Sequence, residues 1–219
     1  MRAEYLRKVM AFDRWPALVA IAAFVPLVPL AGQRHVVVQL LGGGYSHLAD
    51  LNQAGTADFT TGFNVSGAVG VQLSTLLSVH GDLTFAHNQA RGGAPYPGSD
   101  VHRIFYGAHV ELRFPFGGGL APFLFAGGGA VTVTPTGTSP SPFIVAPDGI
   151  VTSGSYVLTR IATFTKAAAM LGAGFASPLP RSRFAVLLEA KGLVYRWDRG
   201  GFDRTQVDVT YSAGLQYRF

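Results

Sequence analysis

The chain has 219 residues with 28 glycines, no cysteine, and only 13% Asp, Glu, Lys or Arg, a length that suits one domain and a composition that excludes any disulfide framework. Its formal charge is +5, yet no Lys/Arg run interleaved with aromatics occurs, which argues against a nucleic-acid partner.

Residues 1–14 carry Arg2, Arg7, Lys8 and Arg14 against Glu4 and Asp13, and 15–30 is an uncharged apolar run. A basic segment followed by an apolar one is the pattern of a secretory signal peptide. A transmembrane anchor is the competing reading, but the run holds Pro16, Pro26 and Pro29 and falls short of the roughly 20 residues a spanning helix needs. Residues 1–32 are therefore expected to be a signal peptide, cleaved near Ala31, Gly32 or Gln33, and residues 33–219 a single domain. The leader takes four basic and two acidic residues with it, leaving 13 basic and 10 acidic, a net charge of +3.

Beyond the leader, apolar residues recur with period two, the signature of strands with one greasy and one polar face. Residues 36–47 form the first and least regular strand. In 62–73, Phe63, Val65, Val69, Val71 and Leu73 oppose Asn64, Ser66, Ala68, Gly70 and Gln72. In 77–85, Leu77, Val79, Leu83 and Phe85 oppose Ser78, His80, Asp82 and Thr84. Residues 101–114 are the most informative: Arg103, His109, Glu111 and Arg113 hold odd positions, while Ile104, Tyr106, Ala108, Val110, Leu112 and Phe114 hold even ones. A slip of one residue would turn these charges onto the apolar face, at roughly 2–4 kcal/mol for each basic residue if that face meets lipid, so the register is pinned. Further strands are drawn at 121–134, 164–176 and 184–196, where Glu189 and Lys191 oppose Leu188, Ala190 and Val194. The last, 206–219, alternates from Val207 to Phe219 with Asp208, Thr210, Ser212, Gln216 and Arg218 between.

These eight strands leave connections at about 48–60, 73–76, 87–100, 114–121, 135–155, 177–182 and 197–205, alternately long and short. Short periplasmic turns and longer extracellular loops are the habit of outer-membrane barrels. The predicted fold is all-β: an eight-stranded antiparallel up-and-down transmembrane barrel.

Inside such a barrel the polar faces would collect Asp82, Arg103, Glu111, Arg113, Lys166, Glu189, Lys191, Asp208 and Arg218, near balance in sign. Eight strands leave an interior just wide enough for side chains to fill, so these charges predict either a salt-bridged plug or a narrow water-filled path. Ser78, His80 and Asp82 have the composition of a hydrolase triad, but same-face neighbours stand roughly 6.6 Å apart, beyond the hydrogen-bond reach a triad requires. His87 and His102 flank the second long loop without a local catalytic motif. No His/Asp/Glu set shows metal-ligand spacing, and the glycine runs 42–44, 117–119 and 127–129 lack the Lys-Ser/Thr of a phosphate loop. No cofactor, metal or catalytic residue is expected. Loop contact candidates are Phe143 and Ile144, apolar in the proline-rich 135–155, and Trp197, Arg199 and Arg204, the arginines placed to meet lipopolysaccharide phosphates.

Three elements carry a family resemblance: the terminal Tyr217-Arg218-Phe219, the glycine-rich 122–129, and Glu189-Ala190-Lys191. With them, the chain resembles the small eight-stranded outer-membrane proteins of the OmpA transmembrane-domain and OmpX type over 33–219. The resemblance implies an outer-membrane location, contact with outer-membrane lipid and lipopolysaccharide, and a monomer. It makes Tyr217 and Phe219 the assembly signal for the barrel-assembly machinery. Unlike full-length OmpA-like proteins, the sequence stops at the barrel, so no peptidoglycan-binding domain is expected. The implied role is non-enzymatic, structural or in surface interaction through extracellular loops. The alternatives are a narrow channel, a lipid A-modifying barrel enzyme, and a soluble lipocalin-like protein, which would turn its apolar faces inward.

Overall fold

The computed structural model of the chain describes residues 35–49, 57–92, 100–116, 119–136, 144–145, 151–152, 163–198 and 203–219. The expected signal peptide, 1–32, lies outside them. Eleven strands occur among the described residues: β1 (Val36–His47), β2 (Ala57–Phe59), β3 (Gly62–Gln72), β4 (Leu77–Gly92), β5 (Asp100–Arg113), β6 (Ala121–Thr136), β7 (Ile144–Val145), β8 (Val151–Thr152), β9 (Phe164–Pro178), β10 (Phe184–Trp197) and β11 (Arg204–Arg218). The eight long ones pair antiparallel in the order β4-β3-β1-β11-β10-β9-β6-β5, and β5 pairs back to β4, so the sheet closes on itself. Closure leaves no free edge, the condition for a sheet to exist in hydrocarbon, where no water can satisfy an unpaired backbone group. All eight predicted strands are present, and every neighbouring pair is antiparallel.

The face assignment follows the sequence alternation. On β5, Val101, Arg103, Phe105, His109 and Glu111 are buried while Ile104, Val110 and Leu112 are exposed; on β10, Ala185, Leu187, Glu189 and Lys191 are buried while Leu188 is exposed. Large apolar side chains thus cover the outside: Leu40 is 66% and Leu171 60% exposed, beside Val65, Val69, Leu83, Leu124, Phe175 and Leu215. A soluble barrel would invert this arrangement, because water on the outside would penalise such a belt. The exterior is a lipid-facing surface.

The two ends of the barrel, His35 and Phe219, lie at one rim. Val37 is in register with Arg218, the Phe219 amide donates to Val36 O at 3.0 Å, and the Gln72 amide donates to His35 O at 3.0 Å. The turns 73–76 and 179–183 close at this rim too, since the Arg218 amide donates to Arg183 O at 3.0 Å. Each turn has a serine that takes up loose amides: Ser74 Oγ accepts from Leu76 N and Leu77 N, and Ser182 Oγ accepts from Phe184 N. In the second, Arg181 adopts a left-handed φ of 56°. Phe184, Tyr217 and Phe219 form a run of ring contacts there, with centroids 4.9 and 4.7 Å apart, matching the interfacial aromatic girdle of membrane barrels.

At the opposite rim the strands run further than their periodicity predicts. β4 continues from Phe85 to Gly92, pairing with β5 and then β2, so residues 87–92 and 100 of the expected loop 87–100 are strand. β6 likewise runs through Pro135 and Thr136, and β7 and β8 pair with each other within the expected loop 135–155. Phe143 lies outside the described residues, as does Arg199; Ile144 is the first residue of β7.

Candidate functional site

The alternation that greases the exterior drives polar side chains into the lumen, where three layers of charge are stacked along the barrel axis. In the middle layer, Lys191 of β10 donates to Asp82 Oδ2 on β4 at 2.8 Å and to Thr84 Oγ1 at 3.0 Å, with Glu189 Oε1 at 3.6 Å. Strands β4 and β10 face each other across the closed sheet, so this bridge spans the lumen. The ammonium is 1% exposed and two carboxylates share it, as a buried charge requires.

In the layer nearer the chain ends, Arg113 of β5 donates through Nε to Glu111 Oε1 at 3.0 Å and through Nη2 to Gln216 Oε1 on β11 at 2.9 Å. Strands β5 and β11 are also diametrically opposed. Ser78, His80, Glu111, Arg113, Gln216 and Arg218 line a small cleft at this rim, with room for about one water molecule. The His80 ring stacks on His109, its register partner, with centroids 5.0 Å apart and planes 7° from parallel. Gly70 makes room for it: a Cβ at Gly70 would lie 2.3 Å from His80 Nδ1.

In the third layer, Arg103 of β5 donates to Tyr195 Oη at 3.0 Å and to Asn88 Oδ1 at 2.6 Å, and Tyr195 Oη donates to Asp208 Oδ2 at 2.9 Å. His47 completes the group through Asp208 Oδ1. Around the guanidinium lie the rings of Phe59, Tyr45 and Trp197, at 4.5, 5.4 and 5.9 Å. Such contacts hold a cation that has left water, and Phe59 reaches this one from β2, which pairs with the far end of β4.

Asp82, Arg103, Glu111, Arg113, Glu189, Lys191 and Asp208 are brought together in these layers. The other two expected members stand apart. Lys166 faces inward by parity but sits at the loop rim, paired with Asp198, and Arg218 is exposed at the opposite rim. Parity gives a side chain its face, whereas its height along the strand decides whether the lumen encloses it. Trp197 requires a further correction. It is the last residue of β10 rather than a loop residue, and inward parity buries it, 2% exposed, against Phe164 at 5.0 Å and Phe59 at 5.8 Å. Arg204 opens β11 and is exposed.

Two expectations about chemistry also change. Ser78 Oγ lies 2.8 Å from His80 Nε2, so the long imidazole closes the gap that backbone spacing leaves. Asp82 is committed to Lys191, however, and the nearby acid Glu111 approaches the same Nε2 at 3.9 Å rather than Nδ1. A triad needs its acid on the other nitrogen, to orient the ring and stabilise the imidazolium. Ser78, His80 and Glu111 therefore form a buried polar cluster without triad geometry. His80, His109 and Glu111 also place ligand-type atoms within 4.8 Å of one another, a set that linear spacing could not reveal because two strands supply it. Their parallel, stacked rings aim the nitrogen lone pairs along separate planes, and the Arg113 cation occupies Glu111 Oε1. The participation of Tyr45, His47, Asn88, Tyr195 and Gln216 was missed in the sequence; their inward parity was the available signal.

No family model and no curated protein matches the chain. Among solved structures it is similar to neisserial surface protein A, with 11% identity and a TM-score of 0.54, covering 85% of this chain and 97% of that one. It is also similar to the N-terminal β-barrel domain of Pseudomonas aeruginosa OprF, with 16% identity, a TM-score of 0.45, and coverage of 86% and 100%. A third is the outer membrane protein OprG of Pseudomonas aeruginosa, with 14% identity, a TM-score of 0.43, and coverage of 85% and 95%. The likeness to the first shows the fold, a closed eight-stranded outer-membrane barrel, and the exterior of this chain has the apolar belt that such a barrel presents to lipid.

Proposed function

We propose that this outer-membrane barrel is non-enzymatic and non-conducting, a rigid monomeric scaffold that presents its long connections to surface partners. The observation that carries the reading is the three-layered lumen, in which Arg113, Lys191 and Arg103 each reach from one wall to another at a different height. A side-chain-filled interior leaves the extracellular end as the place for recognition. Exposed Arg204, with Arg199 beside it in the sequence, is our candidate contact for lipopolysaccharide phosphates. Tyr217 and Phe219, in ring contact at the other rim, are the candidate signal for the barrel-assembly machinery.

Expression of the full chain in a Gram-negative host, followed by membrane fractionation, tests the placement. The protein is expected in the outer membrane with its N-terminus at residue 32, 33 or 34, and its gel mobility is expected to change on boiling. Planar-bilayer recording of the purified barrel tests closure. A flat trace supports the plug; discrete steps altered by Glu111→Gln or Arg113→Ser would replace the reading with a narrow channel.

A further inference from the structure

His87 of β4 and His102 of β5 are register partners, and both point outward. They sit two residues beyond the outward-facing Phe85 and Ile104, at the loop side of the apolar belt. Their Nδ1 atoms are 3.2 Å apart, with ring planes 30° from parallel. Two nitrogens bound to one tetrahedral zinc ion at about 2.0–2.1 Å stand roughly 3.3–3.4 Å apart, so the observed separation nearly matches that edge. The other nitrogen of His87, Nε2, faces Asp100 Oδ1 at 3.7 Å, and Gln89 Nε2 holds that carboxylate oxygen at 3.1 Å. At that distance the carboxylate does not hydrogen-bond the ring, but its negative charge favours a proton on Nε2 and leaves the Nδ1 lone pair on the His102 side. Two aromatic rings steady the pair: Phe63 lies 5.3 Å from the His87 ring and Phe85 lies 5.7 Å from the His102 ring.

From this geometry we propose that His87 and His102 form a binding site for a divalent transition ion of the zinc type, on the outer wall of the β4–β5 hairpin. The ion binds beside the line joining the two Nδ1 atoms, both rings turning their lone pairs toward it, and the proton between them moves to Nε2 of His102, so binding needs no net proton release. Two protein nitrogens leave the remaining coordination positions to solvent, as expected for an exchangeable surface site. The stacked His80–His109 pair inside the lumen lacks this convergence, and its neighbouring Arg113 opposes a second cation.

The test is calorimetric titration of Zn²⁺ alone into the folded, untagged barrel in detergent, its folding checked by mobility before and after boiling. One ion per chain is expected. His87→Ala and His102→Ala should each weaken binding at least tenfold, and Asp100→Asn less than tenfold, through the loss of its nearby negative charge. These side chains lie outside the lumen, so the variants should keep the heat-dependent mobility shift of the parent. Absence of saturable binding overturns the proposal, as does binding that survives both alanine variants or disappears in His80→Gln. A null result would leave the closed-lumen reading untouched, since conductance and zinc binding concern opposite sides of the wall.

Discussion

Lys191 shows how a single residue can govern the interior. Its ammonium lies within reach of Asp82 and Glu189 with almost no exposure, so removing it leaves two carboxylates facing each other without a counter-ion. Breaking a buried pair in this way costs about 3–5 kcal/mol. Lys191→Met is therefore expected to shift the urea midpoint sharply downward, and Lys191→Met combined with Asp82→Asn and Glu189→Gln should recover most of the loss. Trp197 reports on such changes: the chain has two tryptophans, Trp15 falls in the expected leader, and Trp197 is packed beside Arg103. A similar steric argument holds at Gly172, where a Cβ would stand 2.2 Å from Phe125 Cζ and 2.5 Å from Ala190 O. Even if the ring turns away, the Ala190 carbonyl is backbone and has little freedom to yield. Gly172→Ala should destabilise the barrel by roughly 1–3 kcal/mol, the usual cost of overpacking, read from the same urea transition.

At the level of the strand, what matters is register. Strand β5 is held by its own pattern, because Arg103, His109, Glu111 and Arg113 all face the lumen while Val110 and Leu112 face lipid. Val110→Arg places a charge on the lipid face without changing the interior. Its expected cost is about 2–4 kcal/mol if the position lies near the bilayer midplane, falling toward zero near either interface. The measurement is the unfolding free energy in bilayers of defined thickness, and an unchanged value would remove Val110 from the hydrocarbon zone. Strand ends obey a different rule. β4 outruns its clean alternation because β2 and β5 pair with it beyond the membrane, where polar outward residues such as Gln89 carry no lipid penalty.

For the molecule as a whole, the proposed closure of the lumen is redundant. Bridges cross the lumen at three heights, so loss of the one nearest the chain ends leaves two intact. Arg113→Ser is expected to enlarge the cleft at that rim without producing conductance, because Lys191 and Arg103 still block the path. Single-channel steps in this variant would show that the upper layers leave room for ions. The cleft also explains why a pore and a plug were indistinguishable in the sequence: both require the same inward charges, and they differ only in whether opposite walls touch.

Period-two alternation and the lipid penalty for charge act locally along each strand, so the eight strands, their inside and outside faces and their antiparallel order were legible in the linear pattern. Seven charged residues that the structure holds in the lumen were legible for the same reason. Which of them meet was not, since pairing across a closed sheet depends on shear and height, which no single strand encodes. That is why Lys166 and Arg218 moved to the rims, why Trp197 turned from a loop contact into core, and why His87 found His102. Each of these outcomes depends on two strands whose relative stagger is set when the barrel closes.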